Sequence, residues 1–156
     1  MITTKQQGFT LIELMVTVAI VIILSIIAIP SWSTLIRDNS MSVAVNQVQS
    51  IYQLTRSEAL KRNEEVTLTS SNNRLTWTLT NQVSGADSTI KTITLATDQV
   101  SIVPSAGSAS EVSLVVQKTG FAENEQLEFT WEDEYRCLSI YNSGQIQVST
   151  DSGDCE

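Results

Sequence analysis

The 156-residue chain contains no histidine. That removes the commonest general base and the commonest metal ligand. It holds only two cysteines, Cys137 and Cys155, too few to close a zinc site. No Ser/His/Asp set, Gly-rich phosphate loop or metal-ligand spacing is present, so neither an enzyme nor a cofactor-bearing protein is expected. Charge is unevenly absent. Residues 14–36 carry no charged side chain, a gap of 23 residues. Basic residues are scarce from Val66 to Glu156, where 12 acids against 4 bases give the whole formal charge of -8. Such a segment is a poor match for nucleic acid, where phosphate contacts need Lys and Arg. The length suits one domain.

What is present begins with the apolar run Leu14–Ile29, inside the uncharged stretch Leu14–Ile36. About 20 such residues cross a bilayer as a helix. The competing reading is a secretory signal peptide, which carries its small-residue cut site after the apolar core. Here the small residue, Gly8, precedes the core, and the helical pattern continues beyond it. A spanning helix is therefore expected. Lys5 and the amino terminus precede the span, so the start stays cytoplasmic and the acidic bulk lies outside. That places Cys137 and Cys155 in an oxidising space, where a disulfide closing a short loop is expected and two free thiols are the alternative. Glu13 stands at the edge of the span. A carboxylate costs roughly 2.5–3.5 kcal/mol near the centre of a membrane helix and less toward its end. Two readings stand: a solvated carboxylate at headgroup level, or one that takes a positive partner when helices pack.

The run Gly8-Phe9-Thr10-Leu11-Ile12-Glu13-Leu14-Met15-Val16 resembles the prepilin signature of type IV pilins and type II secretion pseudopilins. The resemblance implies a leader, residues 1–8, cut by a prepilin peptidase between Gly8 and Phe9. It implies methylation of the new amino group on Phe9. It makes Glu13 the fifth residue of the mature chain, whose carboxylate meets the terminal amine of a neighbouring subunit.

Pro30 interrupts the apolar run. Proline inside a helix removes a backbone bond, at roughly 3 kcal/mol. The pattern beyond it still reads as helix: Met41, Val45, Val48, Ile51 or Tyr52, Thr55 and Ala59 recur at spacings of three and four, widened by Leu54 and Leu60. A helix kinked at Pro30 is expected from about Thr10 to Arg62, and a proline here is shared by pilin-like proteins. Residues 9–36 are the membrane or filament-core half. Residues 37–65 are the amphipathic half, and Glu58, Lys61 and Arg62 read as its solvated surface.

From Val66 the period becomes two. Val66–Thr69 and Leu75–Thr80 alternate apolar and polar residues around the turn signal Ser71-Asn72-Asn73. Further strands are expected at Ile90–Leu95, Val100–Val103, Val112–Lys118, Leu127–Trp131, Cys137–Tyr141 and Gln145–Ser149. Asn142-Ser143-Gly144 turns the last two into a hairpin. Residues 82–89 and 104–110 read as loops. The fold class is thus α+β, a long N-terminal helix on an antiparallel, sandwich-like domain at 66–156. Trp77 and Trp131, in alternating strands, read as core rather than as ligand platforms. Trp32 reads as interfacial. Glu132-Asp133-Glu134 reads as a solvated turn rather than a cation site.

The Gly120 turn and the hairpin through Asn142-Ser143-Gly144-Gln145-Ile146-Gln147-Val148 resemble the GspH/FimT family of minor pilins and pseudopilins. In its DNA-uptake branch the last hairpin carries Gly-Arg-x-Arg. Here Gln145 and Gln147 replace both arginines, with Asp151, Asp154 and Glu156 following, so DNA binding is not expected. The resemblance implies a FimU-type minor pilin, partnered by other minor pilins and the major pilin. It implies a single-pass inner-membrane protein with a periplasmic domain, later lodged near the filament tip. A type II secretion pseudopilin and a DNA-uptake pilin are the alternatives.

Overall fold

A computed structural model describes residues 8–71, 73–83, 86–105, 111–150 and 155, without the side chains of residues 28–31, 82, 83 and 86. The leader up to Gln7, Asn72, most of 104–110, and Asp151, Asp154 and Glu156 lie outside the described residues. Pro30 falls within the helix, but its side chain lies outside the description. Chain contacts divide the protein into two compact units, Met1–Ile36 and Arg37–Glu156.

One helix, α1, runs Leu11–Arg62, 52 residues. Its start has a physical cause. Thr10 Oγ1 accepts a hydrogen bond from the Glu13 N–H at 3.3 Å. That satisfies one of the four donors left open at a helix start. Its end is equally specified. Asn63 adopts φ 54, and the Glu64 N–H donates to the Ala59 carbonyl at 3.3 Å. A left-handed residue just past the last turn, with this back-bond, stops a helix. Lys61 and Arg62 lie in that last turn and both pair with Glu58.

In the second unit, Arg37–Arg62 of α1 joins eight strands. These are β1 Val66–Ser71, β2 Thr76–Val83, β3 Ala86–Thr94, β4 Ser101–Pro104, β5 Ser113–Val116, β6 Glu125–Trp131, β7 Glu134–Ile140 and β8 Ile146–Ser149. They form two antiparallel four-stranded sheets, ordered β3-β2-β1-β5 and β4-β6-β7-β8. Met41, Val45, Val48, Ile51, Tyr52 and Ala59 are buried with Leu68, Trp77, Leu79, Leu114, Leu127, Phe129 and Leu138 in one cluster drawn from the helix and both sheets. The expected stripe is therefore the core face. Burying each large side chain contributes about 1.5–3 kcal/mol. Thr55 tolerates burial because its hydroxyl donates to the Ile51 carbonyl at 2.9 Å. Ser70 tolerates it because its Oγ accepts from the Val112 N–H at 2.7 Å.

Several expectations need correction. Leu60 is half exposed and does not widen the core stripe. The loop expected at 82–89 is mostly strand: β2 and β3 pair as far as Val83 with Ala86, and the part of the expectation at Ser84 and Gly85 lies outside the described residues. Polar residues conceal the pairing there, because Asp87, Ser88 and Thr89 are exposed and leave no alternating apolar trace. Likewise β7 begins at Glu134, not Cys137. Trp131 pairs with Glu134, and Glu132 takes φ 52 in the tight turn between them. The strand at Val112–Lys118 is shorter, Ser113–Val116. Trp131 packs against the core only partly buried, while Trp77 is fully inside.

Candidate functional site

The first unit presents an apolar helix with nothing over it. Phe9 is 85% exposed, and large apolar side chains from Leu11 to Ile27 are all exposed. The helix contains a stretch long and apolar enough to cross a membrane. Apolar surface of that extent, all around a helix, needs lipid or other helices to cover it. Gly8 is uncrowded, since a Cβ there would meet nothing within 4 Å. Its neighbourhood thus places no packing demand for glycine. Glu13 sits in the first turn, where a carboxylate complements the positive end of the helix dipole. Its side chain is exposed. Trp32 is 67% exposed.

The second unit brings the two cysteines together. Cys137, fully buried in β7, and Cys155 form a disulfide with a Cα–Cα distance of 5.7 Å. Ser105 Oγ donates to the Cys155 carbonyl at 2.6 Å, so Cys155 is also held beside the end of β4.

The last hairpin is fastened by a residue that sequence reasoning passed over. Arg56, on α1, donates from Nη1 to the Gly144 carbonyl at 2.9 Å and from Nη2 to the Ser143 carbonyl at 3.5 Å. Gly144 has φ +77 and Gly120 has φ +82. A Cβ at Gly144 would collide with the Gly120 carbonyl oxygen and lie 2.9 Å from Arg56 Cζ. A Cβ at Gly120 would lie 3.1 Å from Arg56 Nε. The two glycines and the arginine are thus one interlocked turn. No local sequence pattern announces the contact, because its partners lie 87 and 88 positions away.

Gln145 and Gln147 stand exposed on this hairpin, and Tyr141 Oη donates to Gln147 Oε1 at 2.9 Å. Together with Tyr52, Gln53, Arg56 and Ile146 they line a groove. Its cation, Arg56, is committed to the turn carbonyls. Tyr52 Oη is buried without a hydrogen-bond partner, and burial pushes its pKa up, partly offset by the Arg56 charge. The acidic turn after β6 is occupied by ion pairs: Glu132 with Arg37, and Glu134 with Arg136 at 3.8 Å. Arg136 also faces Asp38 at 3.7 Å.

Comparison with known proteins agrees with this architecture. The family model described as type II transport protein GspH matches residues 44–149. The prokaryotic N-terminal methylation motif matches residues 3–29. No curated protein matches the chain. Among solved structures, the type IV minor pilin FimU of Pseudomonas aeruginosa is similar, with TM-score 0.61 at 15% identity, over 72% of this chain and 90% of that one. The minor pseudopilin EpsH of the Vibrio cholerae type 2 secretion system is similar too, with TM-score 0.54 at 16% identity, over 69% of this chain and 97% of that one. The GspH match spans more than half the chain and the methylation motif covers its start, so the chain belongs to the GspH family of pilin-like subunits, the minor pilins and pseudopilins.

Proposed function

We propose that this chain is a minor pilin of a type IV pilus, a structural subunit that joins other minor pilins in the complex that starts or caps the filament. The observation that carries this reading is the uncovered apolar helix with Glu13 in its first turn. A prepilin peptidase removes residues 1–8, and Phe9 becomes the methylated amino terminus. Before assembly the span holds the protein in the inner membrane with its globular unit in the periplasm. On assembly, neighbouring helices replace lipid around it. The Glu13 carboxylate then meets the terminal amine of an adjacent subunit. Separating the pair would leave an uncompensated charge in an apolar surround, which fixes the axial register.

Gln145 and Gln147 support a role without DNA. They carry no charge where a phosphate-binding hairpin needs guanidinium groups. The disulfide between Cys137 and Cys155 supports the pilus over the secretion machine. A second reading, a type II secretion pseudopilin, draws support from the likeness to EpsH. A deletion strain separates the two. Loss of surface pili with normal secretion of enzymes is expected, and the reverse outcome assigns the chain to the secretion system.

A further inference from the structure

Beside the helix end, the β3-β2-β1-β5 sheet carries a cavity of about 380 Å³ lined by the apolar Val115 and by six polar residues, Glu64, Glu65, Thr67, Thr80, Asn81 and Asp87. Each of the six polar side chains can accept a hydrogen bond, and three are carboxylates. Asn81 is 3% exposed. Its amide donates from Nδ2 to Glu64 Oε2 at 2.8 Å, while its Oδ1 is buried with no partner. A buried acceptor left open is costly, so a donor that reaches it is favoured. The register explains the grouping. Val66 pairs with Asn81, Thr67 with Thr80, and Gln82 with Asp87, so three strands deliver acceptors to one place. Among the described residues, neither Glu65 nor Asp87 has an ion-pair partner.

The cavity asks for a ligand that is cationic and offers only donors. A small metal ion fits poorly, because it needs its oxygens within roughly 2–2.6 Å of one point. Among the described residues no group of three or more acids, cysteines or histidines is placed to hold one. A guanidinium spreads five donors over a plane and suits acceptors that stand apart. A second copy of this chain is a poor source. Val66–Glu156 carries -8, so two such segments repel. All five arginines of the chain are already engaged: Arg37 with Glu132, Arg56 with the Gly144 turn, Arg62 with Glu58, Arg136 with Asp38 and Glu134, and Arg74 in contacts of its own.

We infer that this cavity receives an arginine side chain from a neighbouring subunit of a different kind. It would thus be a lateral contact point of the globular unit, a conclusion that rests on the chain working inside an assembly. The test is photo-crosslinking in the producing cells. The full chain carries benzoyl-phenylalanine at exposed Ser88, which pairs with Asn81. A control chain carries it at Val21 in the apolar helix. The expected product from position 88 is a crosslink to an arginine-containing peptide of another subunit. Its yield should fall at least ~tenfold in the Glu65→Gln/Asp87→Asn background, where two carboxylate partners are lost. A urea unfolding midpoint equal to the parent's, followed by circular dichroism, shows that this variant is folded. If Val21 crosslinks while Ser88 does not, or if neutralisation leaves the yield unchanged, the arginine site is wrong and the assembly reading stands. If neither position crosslinks, both are wrong. A crosslink from Ser88 to a copy of this chain overturns the choice of partner. Saturable terbium luminescence from the purified chain in detergent, lost in Asp87→Asn, would make the cavity a metal site and overturn the inference.

Discussion

Arg56 Nη1 donates to the Gly144 carbonyl at 2.9 Å, tying α1 to the turn between β7 and β8 across 88 positions of sequence. The bond fastens the hairpin that carries the exposed Gln145 and Gln147. The hairpin keeps its shape through a cation on the helix, while its own side chains, Gln145 and Gln147, are uncharged. Folding and surface chemistry are therefore separable here, because the guanidinium that holds the turn is spent on backbone oxygens.

Gly144→Ala should be strongly destabilising. The position has φ +77, where an L side chain is strained, and the new Cβ meets the Gly120 carbonyl oxygen and Arg56 Cζ. Backbone strain of this kind costs roughly 1–3 kcal/mol, and the clash adds to it. Gly8→Ala serves as the contrast, with open space and no expected change in stability. Urea midpoints of the full chain in detergent check both. Equal midpoints for the two variants would sink the interlocked-turn account.

Much of the fold was legible because periodicity survives wherever a face is buried. The stripe from Met41 to Ala59 and the alternation around Trp77 are direct records of the core. The misses share a cause. β3 and the start of β7 are paired by backbone hydrogen bonds, with exposed or half-exposed polar side chains at Asp87–Thr89 and Glu134–Arg136, so no apolar rhythm marks them. Arg56, Arg37 and Asn81 act through contacts to residues far away in sequence, which no local pattern encodes. The N-terminal unit was legible for a different reason: an uncharged apolar length is a local property.

Removing the disulfide should separate its two cysteines. The bridge closes a loop with a sequence separation of 18, worth roughly 3 kcal/mol by the loop-entropy relation. Cys155→Ser should lose about that amount. Cys137→Ser should lose more, because position 137 is fully buried and a serine there hides a hydroxyl in the core. Thermal unfolding of each variant, with and without reductant, reads the difference. Reductant should shift only the parent protein, and a parent midpoint indifferent to reductant would contradict the account.

Glu13→Gln should uncouple folding from assembly. The side chain is exposed and lies in the N-terminal unit, so the globular unit should keep its unfolding midpoint within about 0.5 kcal/mol. Losing the charge removes the electrostatic half of the proposed docking pair. Recovery of the variant in sheared filaments should fall at least several-fold while its membrane level holds. Quantitative immunoblots of the two fractions measure this, and normal recovery would remove Glu13 from the docking step.

The acid side of the stability profile should carry two opposing contributions. Burial, reinforced by the neighbouring Glu123 charge, pushes the Glu125 carboxyl above its ordinary 4.5. The folded state then holds a proton more tightly than the unfolded one, so stability falls as pH rises from about 4.5 through the folded pKa. Glu58 behaves oppositely. Hydrogen bonds from Arg62 and then Lys61 lower its pKa, so its contribution is present above 4.5 and is lost as pH falls through the folded value. Glu125→Gln removes the first effect and leaves the second. The variant should gain on the parent as pH rises from 4.5 toward neutrality, and the gap should then stay constant. Paired denaturation curves between pH 4 and 8 measure the gap. A gap that shrinks with rising pH would mean that the carboxyl is stabilised as an anion, and the burial of Glu125 would then have the opposite electrostatic consequence.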